Sequence, residues 1–361
     1  MPNVLLAGDR FVLNRLLRAE LDAAAPGAVG PAAPGAVGPA AFGEVRELEL
    51  EWPHTPFGAV AEVDEASGTE DGMIEALQGI AVCLTQMAPL TERILAACPE
   101  LELFAVSRGG PVNANLDAAT AHGVAVTFAP GRNATSTAEY AIGLLLAAMR
   151  RIPASHAGVL AGRWESDLYA YEATGLEIEG TTVGLVGAGA IGSRVARVLL
   201  AFGADVQVAD PYAGELPDGV RRVGLDELFA TSRVVSLHAR VTDETRGLVD
   251  AARIASMPTG SVLVNCARGA LLDHAALAAA LVDGHLFAAG LDVFDVEPLP
   301  ADHPLRGAPN VVMTPHLAGA SRAVAERAAR MAADEAHRFA RGEPPRHCAN
   351  PAVLDRAGAD R

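Results

Sequence analysis

Short apolar runs alternate with stretches of helical spacing along most of the chain. Residues 3–7 read as a strand and 11–25 as a helix. Residues 45–50, 80–84, 103–106 and 124–128 are further strand candidates, most separated by enough chain for a helix. That is the β-α-β alternation of a parallel, doubly wound sheet. Residues 135–151 predict a long helix, with Thr135 or Ser136 as its cap and Glu139 in its first turn. It is apolar on most faces, so it is expected to be buried, joining two domains or lining a subunit interface. A second β-α-β series starts at Thr182, with strands at 182–187, 205–210, 234–238, 261–265, 288–293 and 311–314. A helix over 321–340, rich in Ala, Arg and Glu, closes the pattern.

Two stretches break the alternation. PGAVGPAA occurs twice in tandem at 26–41, and Pro and Gly at that density predict a surface loop. Glu62, Asp64, Glu65, Glu70 and Asp71 crowd another segment, which reads as a solvated loop. At 361 residues and 50% apolar composition the chain has enough for two ordinary cores. All 28 basic residues besides His are Arg, and the absence of Lys excludes Schiff-base chemistry and a Lys-dependent phosphate loop. The net charge of −16 makes nucleic acid an improbable partner. Four scattered Cys with no C-x-x-C pair read as reduced thiols, with neither a disulfide nor a metal site expected. The first residues lack a signal-peptide pattern, and the longest candidate membrane run, 142–149, falls far short of the roughly 20 residues a span needs. A cytoplasmic protein without membrane partners is expected.

The sharpest motif is Gly187-Ala188-Gly189-Ala190-Ile191-Gly192, between a buried strand and a helix, with Asp210 closing the next strand 18 residues past Gly192. This is the setting of a dinucleotide site. Gly187 permits the tight turn, and Gly189 lets backbone approach a pyrophosphate beside Ala190 and Ile191 at the helix N-terminus. Gly192 lets helix and strand pack closely. Asp210 can accept both adenosine ribose hydroxyls and would repel a 2′-phosphate, so NAD is expected over NADP.

Beyond this motif the chain resembles the D-isomer-specific 2-hydroxyacid dehydrogenases. The matching residues are the glycine turn with Asp210-Pro211-Tyr212, the stretch from His238 to Thr245, and Asn265-Cys266-Ala267-Arg268-Gly269. Leu291-Asp292-Val293-Phe294 with Glu297-Pro298, and Thr314-Pro315-His316, continue in the family's order. The resemblance implies that Arg268 binds the substrate carboxylate and polarises the carbonyl, and a planar, permanently charged guanidinium suits that role. It makes His316 the acid/base and Glu297 the carboxylate on its other ring nitrogen, which favours the protonated imidazole. Asp292 is expected at the nicotinamide carboxamide, with the backbone around His238, Cys266 and Ala267 lining the cofactor. His274, His285 and His303 read as ordinary helix or loop residues.

The family's first domain supplies substrate-binding loops. Here they would include Gln86 and Met87, and Arg108, Gly109 and Gly110. Arg108 could meet a second anionic group on the substrate, or form a structural ion pair. No Arg lies between Thr85 and Leu90, where phosphoglycerate dehydrogenases of the family carry arginines. Glu297 stands where the family's formate dehydrogenases have Gln. Arg132, Asn133, Trp164, Tyr169 and Tyr171 could line the cleft or simply pack.

The expected architecture is α/β, with two doubly wound parallel-sheet domains. A flavodoxin-like substrate domain takes 1–130 and is completed by 320–361. A Rossmann NAD-binding domain takes 131–319. The expected activity is hydride transfer between NAD(H) and a small 2-hydroxy or 2-oxo acid, in a homodimer built on the nucleotide domain. Two alternatives share the fold: a phosphonate or phosphite oxidoreductase, and an NAD-sensing, corepressor-like binding protein.

Overall fold

The chain leaves its first sheet at Arg132 and returns to it at Ser321. One unit comprises Met1–Arg132 and Ser321–Arg361, the other Asn133–Ala320. The computed structural model describes residues 1–23, 42–52 and 58–359, so the PGAVGPAA repeat lies outside the described residues.

The first unit's sheet holds β1 (Val4–Gly8), β2 (Val45–Glu49), β3 (Val82–Thr85), β4 (Leu103–Val106) and β5 (Ala125–Thr127). Their order is β2-β1-β3-β4-β5 and every pairing is parallel, the flavodoxin-like arrangement. β1, β3 and β4 are buried along their whole length, which is why they read as unbroken apolar runs. β2, at the edge, carries Arg46, Glu47 and Glu49 and is half-exposed. The helix Arg322–Ala340 returns to this sheet and lays Ala328, Ala329, Ala332, Ala333 and Ala336 in one core with Val4, Leu6, Leu84 and Leu103. Ser321 caps it by accepting from the N–H of Val324. The helix expected from residue 11 starts only at Asn14, because the Asp9 carboxylate takes the N–H groups of Phe11 and Val12 and holds a turn there.

The second unit's sheet holds β6 (Thr182–Val186), β7 (Asp205–Ala209), β8 (Arg221–Arg222), β9 (Val234–Leu237), β10 (Ser261–Asn265), β11 (Leu286–Leu291) and β12 (Val311–Met313). The order β12-β11-β10-β9-β6-β7-β8 is that of a Rossmann sheet, reversing between β6 and β9. β8 gave no signal in the sequence because both its residues are exposed arginines.

The helix Ala134–Met149 spends its apolar faces on this sheet. Ala138, Ala141, Leu144, Leu145 and Ala148 share a core with Val183, Leu185, Val262, Val264 and Ala288. It begins one residue before the expected caps. Asn133 holds the cap position without a side-chain bond, and the Ser136 hydroxyl instead donates to the Ala318 carbonyl at 3.0 Å. A separate helix, Ile152–Leu160, follows a left-handed Arg151 (φ 51°), the residue at which the expected long helix ended.

Candidate active site on the second unit

Because this sheet is wholly parallel, the turns that follow its strands share one edge. Asp210 follows β7, Gly187 follows β6, His238 follows β9, Cys266 follows β10, Asp292 follows β11 and Thr314 follows β12. Residues far apart in sequence are therefore neighbours along a line. Backbone bonds stitch its far end together: Asp292 N–H donates to Asn265 O at 3.0 Å and Thr314 N–H to Leu291 O at 2.9 Å.

At the switch point, Gly187 has φ 99°, and a Cβ there would stand 2.9 Å from the His238 carbonyl carbon. A side chain on Gly192 would overlap the Gly187 carbonyl oxygen. The sequence reading assigned Gly192 to helix–strand packing; the tightest approach is to the turn itself. Gly189 and Ala190 are exposed, and no atom lies within 4 Å of where a Gly189 Cβ would be. Asp210 is anchored to this turn. Its Oδ2 accepts from Ala188 N–H and its Oδ1 from Tyr212 N–H, each at 2.8 Å. The open backbone at Gly189, the helix Gly192–Ala201 starting behind it and the fixed carboxylate fit a dinucleotide. Ile191 is half-buried.

His238 lies next on the edge. Burial pushes its imidazole down to about 4, and its Nε2 sits 3.0 Å from the Ser236 hydroxyl, so it is a neutral, packed ring. Cys266 is buried, which pushes its thiol up. Ala267 N–H donates to Asn265 Oδ1, and the same amide's Nδ2 donates to Arg268 O, both at 3.0 Å. Asn265 thus fastens the turn that delivers Arg268, a function its position at a strand end hints at. Arg268 is exposed, its Nη1 donating to Ala267 O at 2.7 Å. A side chain on Gly269 would overlap the Phe294 carbonyl, so the Arg268 turn and the loop leading to Glu297 touch backbone to backbone.

Glu297 and His316 meet directly. Glu297 Oε2 lies 2.8 Å from His316 Nδ1, and Oε1 accepts from Phe294 N–H at 2.9 Å. The bond from Glu297 raises the His316 pKa, opposed in part by burial and by the Arg268 charge. Burial would raise the Glu297 carboxyl, but the His316 and Phe294 bonds and the nearby positive charges outweigh it and leave it lowered. With Nδ1 committed to Glu297, Nε2 is the nitrogen left to exchange a proton.

His316 is held in the left-handed region (φ 56°), and Asp292 holds it there. The fully buried Asp292 carboxylate accepts from Thr314 Oγ1 at 2.6 Å, Leu317 N–H at 2.8 Å and Ala318 N–H at 2.7 Å, while its carbonyl accepts from His316 N–H at 2.9 Å. The sequence reading placed Asp292 at the nicotinamide. In the structure its side chain is engaged with the His316 segment.

The first-unit candidates sit differently. Arg108 forms an ion pair with the Glu65 side chain and donates to the Glu65 carbonyl at 3.0 Å. That is the ion pair held as the alternative reading of Arg108. Met87 belongs to the unit's core, and Gln86 is buried with its Oε1 unpartnered, so neither presents an open surface within that unit. Gly109 is exposed and Gly110 half-buried, with nothing close to either Cα face. Arg132 lies over the Phe11 ring, 5.9 Å from its centroid, while Trp164, Tyr169 and Tyr171 are exposed.

Residues 142–318 match the family model described as "D-isomer specific 2-hydroxyacid dehydrogenase, NAD binding domain". The D-3-phosphoglycerate dehydrogenase of Mycobacterium tuberculosis is 46% identical over 238 residues, covering 64% of this chain and 44% of that protein. The chain thus spans less than half the length of that relative. The glyoxylate reductase of Korarchaeum cryptofilum is 35% identical over 295 residues, 81% of this chain and 89% of that one. Among solved structures, the TT0316 protein of Thermus thermophilus superposes with a TM-score of 0.75 at 31% identity, covering 96% of this chain and 99% of its own. Among the described residues no helix is long and apolar enough to cross a membrane.

Proposed function

This chain belongs to the D-isomer specific 2-hydroxyacid dehydrogenase family, and from that premise we propose that it moves a hydride between NAD(H) and a small 2-oxo or 2-hydroxy acid. The observation that carries this reading is the 2.8 Å bond between Glu297 and His316 on the sheet edge that also bears the glycine turn. Bound at that turn, the dinucleotide supplies the hydride. Arg268 holds the substrate carboxylate and draws electrons from the carbonyl. His316 Nε2 gives its proton to the carbonyl oxygen in reduction and takes it back in oxidation.

A screen of NADH oxidation over glyoxylate, hydroxypyruvate, pyruvate, oxaloacetate, 2-oxoglutarate and branched 2-oxo acids, with D-3-phosphoglycerate and NAD⁺ in the reverse direction, tests the reading. Turnover of at least one acid is expected. Inactivity on all of them, joined to NADH-dependent assembly, would favour a sensor instead.

The pH dependence follows from the pair. Reduction needs protonated His316, so its rate holds at low pH and falls as pH rises through a pKa raised above 6.5. Oxidation needs the neutral ring and rises over the same window. Rates flat in both directions between pH 5 and 9 would contradict the pair. Asp210, fixed beside the turn, is expected to favour NADH over NADPH, and a higher kcat/KM with NADPH would remove that role.

A homodimer built on the second unit is supported by the exposed Ile152, Val159, Leu160, Trp164, Tyr169 and Tyr171, an unusual run of large apolar side chains in one stretch. A cytoplasmic location goes with four free cysteines. The partners in this reading are the dinucleotide, the oxo acid and a second copy of the chain.

A further inference from the structure

The loop that carries Glu297 is gripped on two sides. On one, the Phe294 carbonyl packs on Gly269, and the Phe294 N–H donates to Glu297 Oε1 at 2.9 Å. On the other stands a cluster that the reaction scheme does not use. Asp295, two residues before Glu297, turns one carboxylate oxygen toward two imidazoles: His303 Nε2 at 3.3 Å and His274 Nδ1 at 3.6 Å. The two rings meet edge to face, 5.9 Å between centroids, and the His274 ring also lies 6.2 Å from that of Phe294.

The sequence reading took both histidines for ordinary residues. The structure buries both side chains: His274 is 3% exposed and the His303 side chain 8%, and the backbone of Val293, in the loop leading to Asp295, faces the His274 ring. A buried imidazole needs polar groups close to it, and those that His274 has lie in the loop that carries Glu297. His274 opens the helix His274–Val282, where the backbone dipole disfavours a cation. Burial lowers its pKa, outweighing Asp295, the Val293 backbone hydrogen bond and Asp273, which raise it, while His303 lowers it further. His303 Nδ1 accepts from Leu305 N–H at 3.3 Å, which leaves Nε2 to carry the hydrogen that faces Asp295.

We propose that His274, His303 and Asp295 form a tether that positions Glu297 against His316, with both histidines acting as positioning residues for the acid/base. The inference rests on the reading of His316 given above. Asp295 is half-exposed, so without the two rings it has little else to hold it down. The loop would then slacken, and Glu297 Oε2 would drift from His316 Nδ1. The groups facing His316 would remain Glu297, Arg268 and Asp292, but the contribution of Glu297 would weaken.

The test uses the full chain labelled with ¹⁵N-histidine, with the His316 signal assigned from a His316→Ala spectrum. Asp295→Ala cuts the tether at its centre, and His274→Leu removes one arm while keeping buried apolar volume. In both variants the His316 titration should move down toward 6.5, its ordinary value. Reduction should lose roughly tenfold or more in kcat, with KM for NADH little changed. An unchanged His316 titration in both variants, even with a lowered melting temperature, would overturn the tether and leave the cluster as packing. A wild-type protein that reduces no oxo acid would defeat the proposed function, while the titration would still decide whether the tether exists.

Discussion

His316→Ala is expected to lower turnover roughly 10²–10⁴-fold in both directions, the range for loss of a positioned acid/base. The substitution removes the only described side-chain partner of Glu297 Oε2 and the nitrogen that exchanges the proton. It should leave dinucleotide binding nearly intact. The turn at Gly187 and the carboxylate of Asp210 follow β6 and β7, three or more strands away from β12 in the sheet. Steady-state kinetics in both directions, with a fluorescence titration of NADH, separates the two effects. Activity within a few-fold of wild type would remove His316 from the mechanism. Loss of NADH affinity matching the loss of turnover would make it a binding residue instead.

Asp292→Ala should be costly in a different way. The carboxylate takes three donors in a fully buried position, and its removal strands the Thr314 hydroxyl and the N–H groups of Leu317 and Ala318. Of these donors only the Ala318 N–H is buried, and an orphaned buried donor costs about 1–3 kcal/mol, so the second unit should lose stability of about that size. Turnover should fall about 10²-fold, since a misplacement near 1 Å at a reacting group has effects of that size. Asp292→Asn retains one acceptor oxygen and should recover part of the stability but less of the activity, because its amide nitrogen must face a donor. Thermal melts beside kinetics decide it. A stable Asp292→Ala protein whose only defect is weaker nicotinamide binding would restore the role first assigned to Asp292 and set aside the anchor.

Much of the fold was legible because parallel strands buried on both faces are predominantly apolar: β1 and β4 wholly so, and β3, β6, β9 and β10 with only one or two polar residues each. The glycine turn was legible because its backbone positions admit few residue types. β8 was not, since two exposed arginines carry no pattern. The helix caps were misplaced because Ser136 found a partner in Ala318, 182 residues away, which no local rule anticipates. The contacts of the Asp292 side chain with Thr314, Leu317 and Ala318, more than 20 residues on, carry no local signal either.

The roles of Arg268, Glu297 and His316 were legible only through the resemblance to the family; periodicity and spacing by themselves determined the two parallel β-α-β series and the turn at Gly187. These follow from local sterics and periodicity, which act over a few residues. The tertiary structure alone decided that Asp292 grips the His316 segment and which carboxylate Arg108 pairs with, Glu65. Such pairings depend on which strand ends become neighbours, and strand order is set by packing of the whole sheet rather than by any stretch of sequence.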